Sequence, residues 1–502
     1  MDVDRLDQLL LAGSAVVLLA VLAVRASVRV GLPSLLIYLA MGVLLGESVL
    51  GIHFDDASTA QALGFAALVV ILTEGGLTTK WSEMRPSLGL GLVLATVGVG
   101  VSIVLVAVFA YFVLDFSWQL AFLLGAVTAP TDAAAVFSVL RRVPLKPSIL
   151  GALEAESGLN DATTVLLVVI LSANHDPTGG ALGFVGLIAY ELVVGIAFGA
   201  VIGRLGAAML RRVALPASGL YPIAVMAMAA LAYSGAAAIH ASGFAAVYIA
   251  ALILGNSDLP HRASTRSFAE GFAWLAQIGL FIMLGLLASP DTFTVQQVVG
   301  GVVIGAYLTL IARPISVAVS AAPFRLPWPD QAFIALAGLR GAVPIVLAAI
   351  PLAEHVERAQ EEFNVVFVLV VVLTVATAPA LPALARRLGV TVDRPRDVEV
   401  EAAPLERIAA DLLQVHITEH SRLHGVEIGE LRLPKGTSVS LIVRGETSFT
   451  PDLRTPLRRG DDMLVVTHRK DREATERRLQ SVSRGGRLAG WTTGRTARRA
   501  GD

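Results

Sequence analysis

The chain has 502 residues, 55% hydrophobic and only 16% charged, with a mean hydropathy of +0.71. Soluble domains carry roughly 25% charged residues, so this composition describes a polytopic membrane protein. The net charge of −1 says nothing about a partner, because charge matters here by position; no nucleic-acid partner is expected, and the absence of cysteine excludes disulfides, thiol catalysis and Cys-based zinc sites.

In chain order, about thirteen apolar runs approach the roughly 20 residues needed to cross a bilayer. They lie near 9–28, 32–50, 61–79, 88–114, 119–140, 149–172 and 181–210, then 219–239, 242–256, 268–288, 294–322, 330–352 and 364–387. The break between the eighth and ninth rests on Ile239–Gly243 alone. Met1-Asp2-Val3-Asp4 lacks the basic start and cleavage site of a signal peptide, so the first run reads as a retained span. Basic residues occupy alternate loops: Arg25 and Arg29; Lys80 and Arg85; Arg141, Arg142 and Lys146; Arg211 and Arg212; Arg262 and Arg266; Arg325; Arg386 and Arg387. The intervening loops carry Glu47, Asp55, Asp56, Asp115, Asp176, Asp291 and several glutamates around 354–362, with Arg358 as the exception. The positive-inside rule then puts the N-terminus outside and the C-terminus in the cytoplasm of a cell-membrane protein, which requires an odd number of spans.

After Gly389 the composition changes. Residues 389–404 read as a charged, Pro-containing linker, and 405–483 as a small α+β module. Its strands are expected at Leu412–Ile417, Ser438–Val443 and Asp462–Val466, with a short helix at Ser421–Leu431. The basic stretch 484–502 is expected to be disordered.

Ionisable groups inside a span are costly and usually functional. The fifth run holds Thr131-Asp132 just after Pro130, which breaks the helix ladder. The bland alternative is a tolerated kink. The sixth run holds Glu156, Ser157, Asn160 and Asp161, all within an arc of roughly 140° at about 100° per residue. The eleventh holds Arg313-Pro314, and the twelfth Gly338-Leu339-Arg340-Gly341-Ala342-Val343-Pro344. Broken helices at corresponding positions of two halves point to an inverted-repeat transporter with a midplane ion site. The expected architecture is therefore an all-α bundle of inverted repeats with two broken, crossing helices, followed by a cytosolic α+β domain. A proton and a hard monovalent cation competing for one desolvated carboxylate yield exchange without covalent chemistry. A buried ion pair is the structural reading of Glu156 and Arg313.

These residues carry a resemblance. Thr131-Asp132, Glu156-Ser157-x-x-Asn160-Asp161, Arg313 and Gly338-Leu339-Arg340-Gly341 resemble, in order, the motifs of the NhaP/sodium–proton exchanger family, and Glu74-Gly75-Gly76-Leu77 fits the same pattern. The resemblance covers residues 9–388. It implies a homodimer of thirteen-span protomers that exchange a cation for a proton by an elevator-like motion. It further implies that Asp161 holds cation and proton in turn, with Asp132, Ser157 and Thr131 completing the cation shell and Glu156 assisting through water. Arg313 would pair with Glu156, and Arg340 would balance carbonyl ends at the breaks. Asn160-Asp161 matches the electroneutral branch, whereas Ala129-Pro130-Thr131-Asp132-Ala133 departs from the Thr-Asp-Pro order of many members.

The tail resembles the TrkA-C (RCK-C) regulatory domain, through Val426–Pro434, Val443-Arg444-Gly445-Glu446 and Leu457–Leu464. This implies control by a nucleotide or other small ligand and tilts the transported ion towards K⁺ over Na⁺. No Gly-x-Gly-x-x-Gly fingerprint accompanies it, and no cofactor is expected beyond the transported ions. The sequence reading weighs three other classes, of which a membrane sensor without transport would not need two broken helices facing Asn160-Asp161. A tail-gated cation channel would want a filter such as Thr-Val-Gly-Tyr-Gly, which is absent. A membrane enzyme would want a His-Glu-x-x-His or Gly-x-Ser-x-Gly motif, also absent.

Overall fold

The computed structural model describes residues 3–30, 33–47, 50–54, 56–140, 143–173, 180–288, 290–341, 343–392, 398–405, 410–419, 421–445 and 447–486. Asp55, Arg141, Arg142, Asp176, Ala342, linker residues 393–397 and the tail from 487 lie outside them. The chain forms two compact units, Met1–Val392 and Asp393–Asp502.

The first unit is helical throughout. Its elements are α1 (Val3–Val30), α2 (Ser34–Leu45), α3 (Ala57–Thr78), α4 (Trp81–Leu114), α5 (Trp118–Thr128), α6 (Ala133–Leu140) and α7 (Pro147–Ser172). Then follow α8 (Gly180–Arg212), α9 (Leu220–Ala238), α10 (Gly243–Gly255), α11 (Arg262–Leu287) and α12 (Val295–Phe324). The last three are α13 (Trp328–Leu336), α14 (Val343–Ala353) and α15 (Ala359–Arg387). Among the described residues, eight of these are long and apolar enough to cross a membrane: α3, α4, α7, α8, α9, α11, α12 and α15. Large apolar side chains face outward, including Leu18 (62% exposed), Val193 (64%) and Leu205 (62%). A soluble monomer does not tolerate that much exposed apolar surface; in a bilayer it meets lipid.

Local signals set the helix starts. The side chains of Asp56, Ser117 and Ser242 accept from backbone amides at the starts of α3, α5 and α10. At α12, Thr294 and Gln297 form a reciprocal capping box. The weak break between α9 and α10 is real: His240 sits in the left-handed region with φ 53°.

The helices sort into two groups. In one, α10 packs on α3, α8 and α9, and α11 on α2 and α3. In the other, α4 packs on α5, α7 and α12, while α15 packs on α12 and α14. The second group has matching halves. Both α4 and α12 widen into a π-turn midway, at Leu94–Gly98 and Leu308–Ala312. The second turn lies just before Arg313-Pro314, whose proline cannot donate to the helix ladder. The hydroxyl of Ser316 donates to the Gly98 carbonyl at 2.6 Å, tying one widened helix to the other. The following helices are both interrupted, α5 from α6 at 129–132 and α13 from α14 at 337–341.

The second unit is an antiparallel sheet in the order β1-β2-β5-β3-β4, from β1 (Val398–Leu405), β2 (Ala410–Ile417), β3 (Ser438–Arg444), β4 (Thr447–Phe449) and β5 (Asp461–His468). Its core joins Leu413, Val415, Ile442, Met463 and Val465 of the strands to Leu479 and Val482 of α16 (Arg472–Gly485). The sequence reading needs three corrections here. Part of the expected linker 389–404 is strand β1, which pairs along its length with β2. Pro404 is tolerated there because β1 is an edge strand. The helix expected at Ser421–Leu431 is only a 3₁₀ turn at Ile428–Leu431, and helix α16 was not anticipated.

One ion pair holds the end of this sheet. Arg444 donates to both oxygens of the buried Asp461 carboxylate, at 2.7 Å each, and the Arg458 amide donates to the same group at 2.8 Å. Those bonds hold the Arg444 guanidinium above the ordinary arginine value. Asp461→Asn is expected to cost this unit about 1.5–3 kcal/mol. Faster amide exchange in β3 and β5 of the full-length protein checks this, and unchanged protection refutes it.

Candidate functional site

The two interruptions meet. The Asp132 amide donates to the Leu339 carbonyl at 2.9 Å, joining the α5–α6 break to the α13–α14 break. The Asp132 carboxylate caps α6, accepting from the Ala135 amide at 3.0 Å. Gly341 lies so close to this carboxylate that a Cβ there would overlap it. An irregular backbone this deep survives only where protein or a cavity surrounds it.

Helix α7 crosses this junction. The Ser157 hydroxyl accepts from the Ala133 amide at 3.2 Å, and Asn160 donates its amide to the Thr131 hydroxyl at 3.0 Å. A cavity of about 600 Å³ lies between the two helix groups, with Asp132, Ser157 and Asp161 in its wall. Asp161 Oδ1 is shielded from solvent and has no hydrogen-bond partner among the described residues.

The sequence reading put Glu156, Ser157, Asn160 and Asp161 on one helix face, and the structure divides them. Ser157 and Asp161, with Glu154 and Gly158, line the cavity, whereas Glu156 and Asn160 are buried and are not among its lining residues. Glu156 forms an ion pair with Arg313 of α12: Nη2 donates to Oε2 at 2.8 Å and Nη1 stands 2.6 Å from Oε1, both residues being almost wholly buried. Arg340, equally buried, donates to the Gly338 carbonyl at 3.0 Å, and its own carbonyl accepts from Thr374 at 3.1 Å. Gly338 is wedged among three of these residues: a Cβ would stand 3.0 Å from Arg313 Nε, 3.2 Å from Arg340 Nη1 and 3.3 Å from Thr131 Cγ2.

The cavity continues past Glu74 of α3 and Glu154 to Glu270 of α11. Glu154 was legible in principle, since residues 154, 157, 158 and 161 share the helical spacing of one face. Tyr248, which closes the cavity from α10, carried no sequence signal.

The comparisons with known proteins agree with this geometry. The family model "Sodium/hydrogen exchanger, transmembrane" matches residues 15–386. The chain belongs to that family. The exchanger region is followed by a match to the TrkA-C domain at residues 412–480. A "K(+)/H(+) antiporter NhaP2" of Shewanella sp. (strain ANA-3) is 33% identical over 482 residues, covering 94% of this chain and 83% of its own. A "K(+)/H(+) antiporter NhaP" of Alkalimonas amylolytica is 35% identical over 401 residues, covering 78% and 69% respectively. Among solved structures, the sodium proton antiporter MjNhaP1 of Methanocaldococcus jannaschii superposes with a TM-score of 0.64 at 20% identity, over 76% of this chain and 99% of its own. That likeness establishes the shared fold. The family is one of membrane transporters, not enzymes.

Proposed function

We propose that this exchanger moves K⁺ inward or outward against H⁺ across the cell membrane, by alternating access to one site. The observation that carries the reading is the Asp161 carboxylate. The residue lines the cavity beside Ser157 and Asp132, and its Oδ1, withdrawn from solvent, accepts no hydrogen bond from any described group. A cation or a proton satisfies that oxygen, and the two compete for it. Asp161, Asp132, Ser157 and Thr131 form the cation shell in this reading, and hard oxygen donors suit K⁺ or Na⁺. Thr131 is held by Asn160, which is neutral where the electrogenic pattern carries a second aspartate; in this reading Asp161 alone takes up the proton, and exchange is electroneutral. Glu156 and Arg313 balance each other, and Arg340 offsets carbonyl ends at the broken helices.

The matching halves α4–α7 and α12–α15 support an inverted repeat. Taking α5–α6 and α13–α14 as one crossing each makes thirteen spans, with the N-terminus outside and the C-terminus cytoplasmic. We assign residues 1–388 to the transporter and, with β1 included, 398–483 to a regulatory domain that responds to a nucleotide or other small ligand. A homodimer completes the assembly. K⁺ is preferred over Na⁺ because the relatives that align along most of the chain bear K⁺/H⁺ names and the TrkA-C match accompanies them. The Na⁺ reading draws on the M. jannaschii relative named "Na(+)/H(+) antiporter 1", 24% identical over 352 residues.

Purified protein in liposomes carrying a pH gradient tests both. K⁺ is expected to dissipate the gradient at a lower concentration than Na⁺, without dependence on membrane potential. Dissipation by neither ion refutes exchange, a voltage-dependent rate refutes electroneutrality, and cation flux without proton flux favours a channel.

A further inference from the structure

Tyr248 and Gly158 meet across the boundary between the two helix groups. Tyr248 belongs to α10, where its carbonyl packs against Gly76 of α3. Its ring leaves that group and lies directly on α7 at Gly158, one turn before Asp161. A Cβ at Gly158 would overlap the Tyr248 hydroxyl and ring, with Cε2 at 2.9 Å. The hydroxyl continues to Met84 Sδ of α4 at 3.9 Å, and the whole side chain is only 4% exposed although it walls the cavity. A thioether is a weak acceptor; the hydroxyl also interacts with the Thr79 side chain just after α3, and the close fit at Gly158 adds shape to these polar contacts.

We infer that Tyr248 is a positioning residue for exchange: seated in the notch at Gly158, its ring sets how far the site-bearing helix α7 stands from α10 while the cavity is open. The inference rests on the antiport reading of the Asp161 site. Packed helices slide between discrete seats rather than deforming continuously. A ring resting on bare backbone provides such a seat, beside the carboxylate whose access must alternate. Filling the notch disfavours the cavity-open state, and a site competent in only a fraction of molecules binds its ion correspondingly more weakly.

The test is exchange kinetics in liposomes, separating half-saturating cation concentration from maximal rate. Gly158→Ala is expected to raise the half-saturating K⁺ concentration from the cavity side about tenfold, through the lost open population. Adding Tyr248→Ala to Gly158→Ala removes the clash and is expected to return that value to the Tyr248→Ala level. A merely structural contact would lower yield and maximal rate with neither the affinity split nor the rescue. An unchanged half-saturation in Gly158→Ala, or a double variant no better than Gly158→Ala, overturns the inference.

A second measurement covers a Gly158 variant that does not fold. The chain has no cysteine, so Tyr248→Cys offers a single thiol for a maleimide probe. Its labelling rate is expected to differ between K⁺-saturated and K⁺-free protein. A labelling rate that, at fixed pH, is the same with and without K⁺ overturns the inference. Absence of any K⁺- or Na⁺-driven exchange in the unsubstituted protein would sink the antiport reading itself, so the two failures are distinguishable.

Discussion

Asp161→Asn is expected to abolish exchange, by about a hundredfold or more, because the amide keeps the carboxylate's shape but can neither take up the proton nor neutralise the cation. Folding is expected to survive, since Asp161 Oδ1 has no described hydrogen-bond partner to lose. The neighbouring Asn160–Thr131 bond stays in place. The check is cation-driven dissipation of a pH gradient in liposomes, beside thermal unfolding of the same preparation. Normal exchange by Asp161→Asn would overturn the assignment of the site. A second consequence needs no variant. If proton and cation share one carboxylate, lowering the pH on the cavity side raises the K⁺ concentration needed for half-maximal rate, because the proton is the competitor. A half-saturation independent of pH would mean that the two ions bind apart.

Much of this site was legible because the membrane makes polar residues conspicuous. Thr131-Asp132, the residues of 156–161 and Arg340 stand out within apolar runs, and the position of Thr131-Asp132 and Arg340 at two helix breaks is itself a structural statement. Which way each pointed was not legible. A rotation of about 100° separates adjacent residues on a helix, enough to turn Ser157 and Asp161 to the cavity while Glu156 turns to Arg313. Only the packing of α7 on α4 and the broken helices, with the ion pair to α12, decides that division.

Arg358 illustrates another limit. It violates the alternation of loop charge, and the structure supplies the reason. It donates to the Asp115 carbonyl at 2.8 Å and to Glu361 at 2.8 and 3.1 Å, and lies 5.0 Å from the Phe116 ring centroid. Its hydrogen bonds to Glu361 hold its guanidinium above the ordinary arginine value. It pins the start of α15 to the loop between α4 and α5, a tertiary role that no count of loop charges contains. Strand β1 failed for the opposite reason. Its Val-Glu-Val-Glu alternation is a strand pattern, but the surrounding prolines and charges read as linker until β2 is there to pair with it.

Removing one partner of the Glu156–Arg313 pair is expected to have the largest effect on stability. Both side chains are almost wholly out of solvent, and each offsets the other's charge at close range. Arg313→Ala leaves the Glu156 carboxylate buried without its counter-ion, and breaking such a pair costs about 3–5 kcal/mol. That is a large share of the roughly 5–15 kcal/mol by which proteins are stable. The expected result is a marked loss of monodisperse protein after mild heating, read by size exclusion. Replacing both at once, Glu156→Gln with Arg313→Met, strands no charge and is expected to recover most of that loss. Single variants as stable as the unsubstituted protein would show that the pair does not hold the helices. The double variant also separates two roles for Glu156. If it is stable and still exchanges K⁺, the glutamate serves the fold alone. If it is stable and its half-saturating K⁺ concentration rises, Glu156 reaches the cation through water even though its side chain is turned from the cavity.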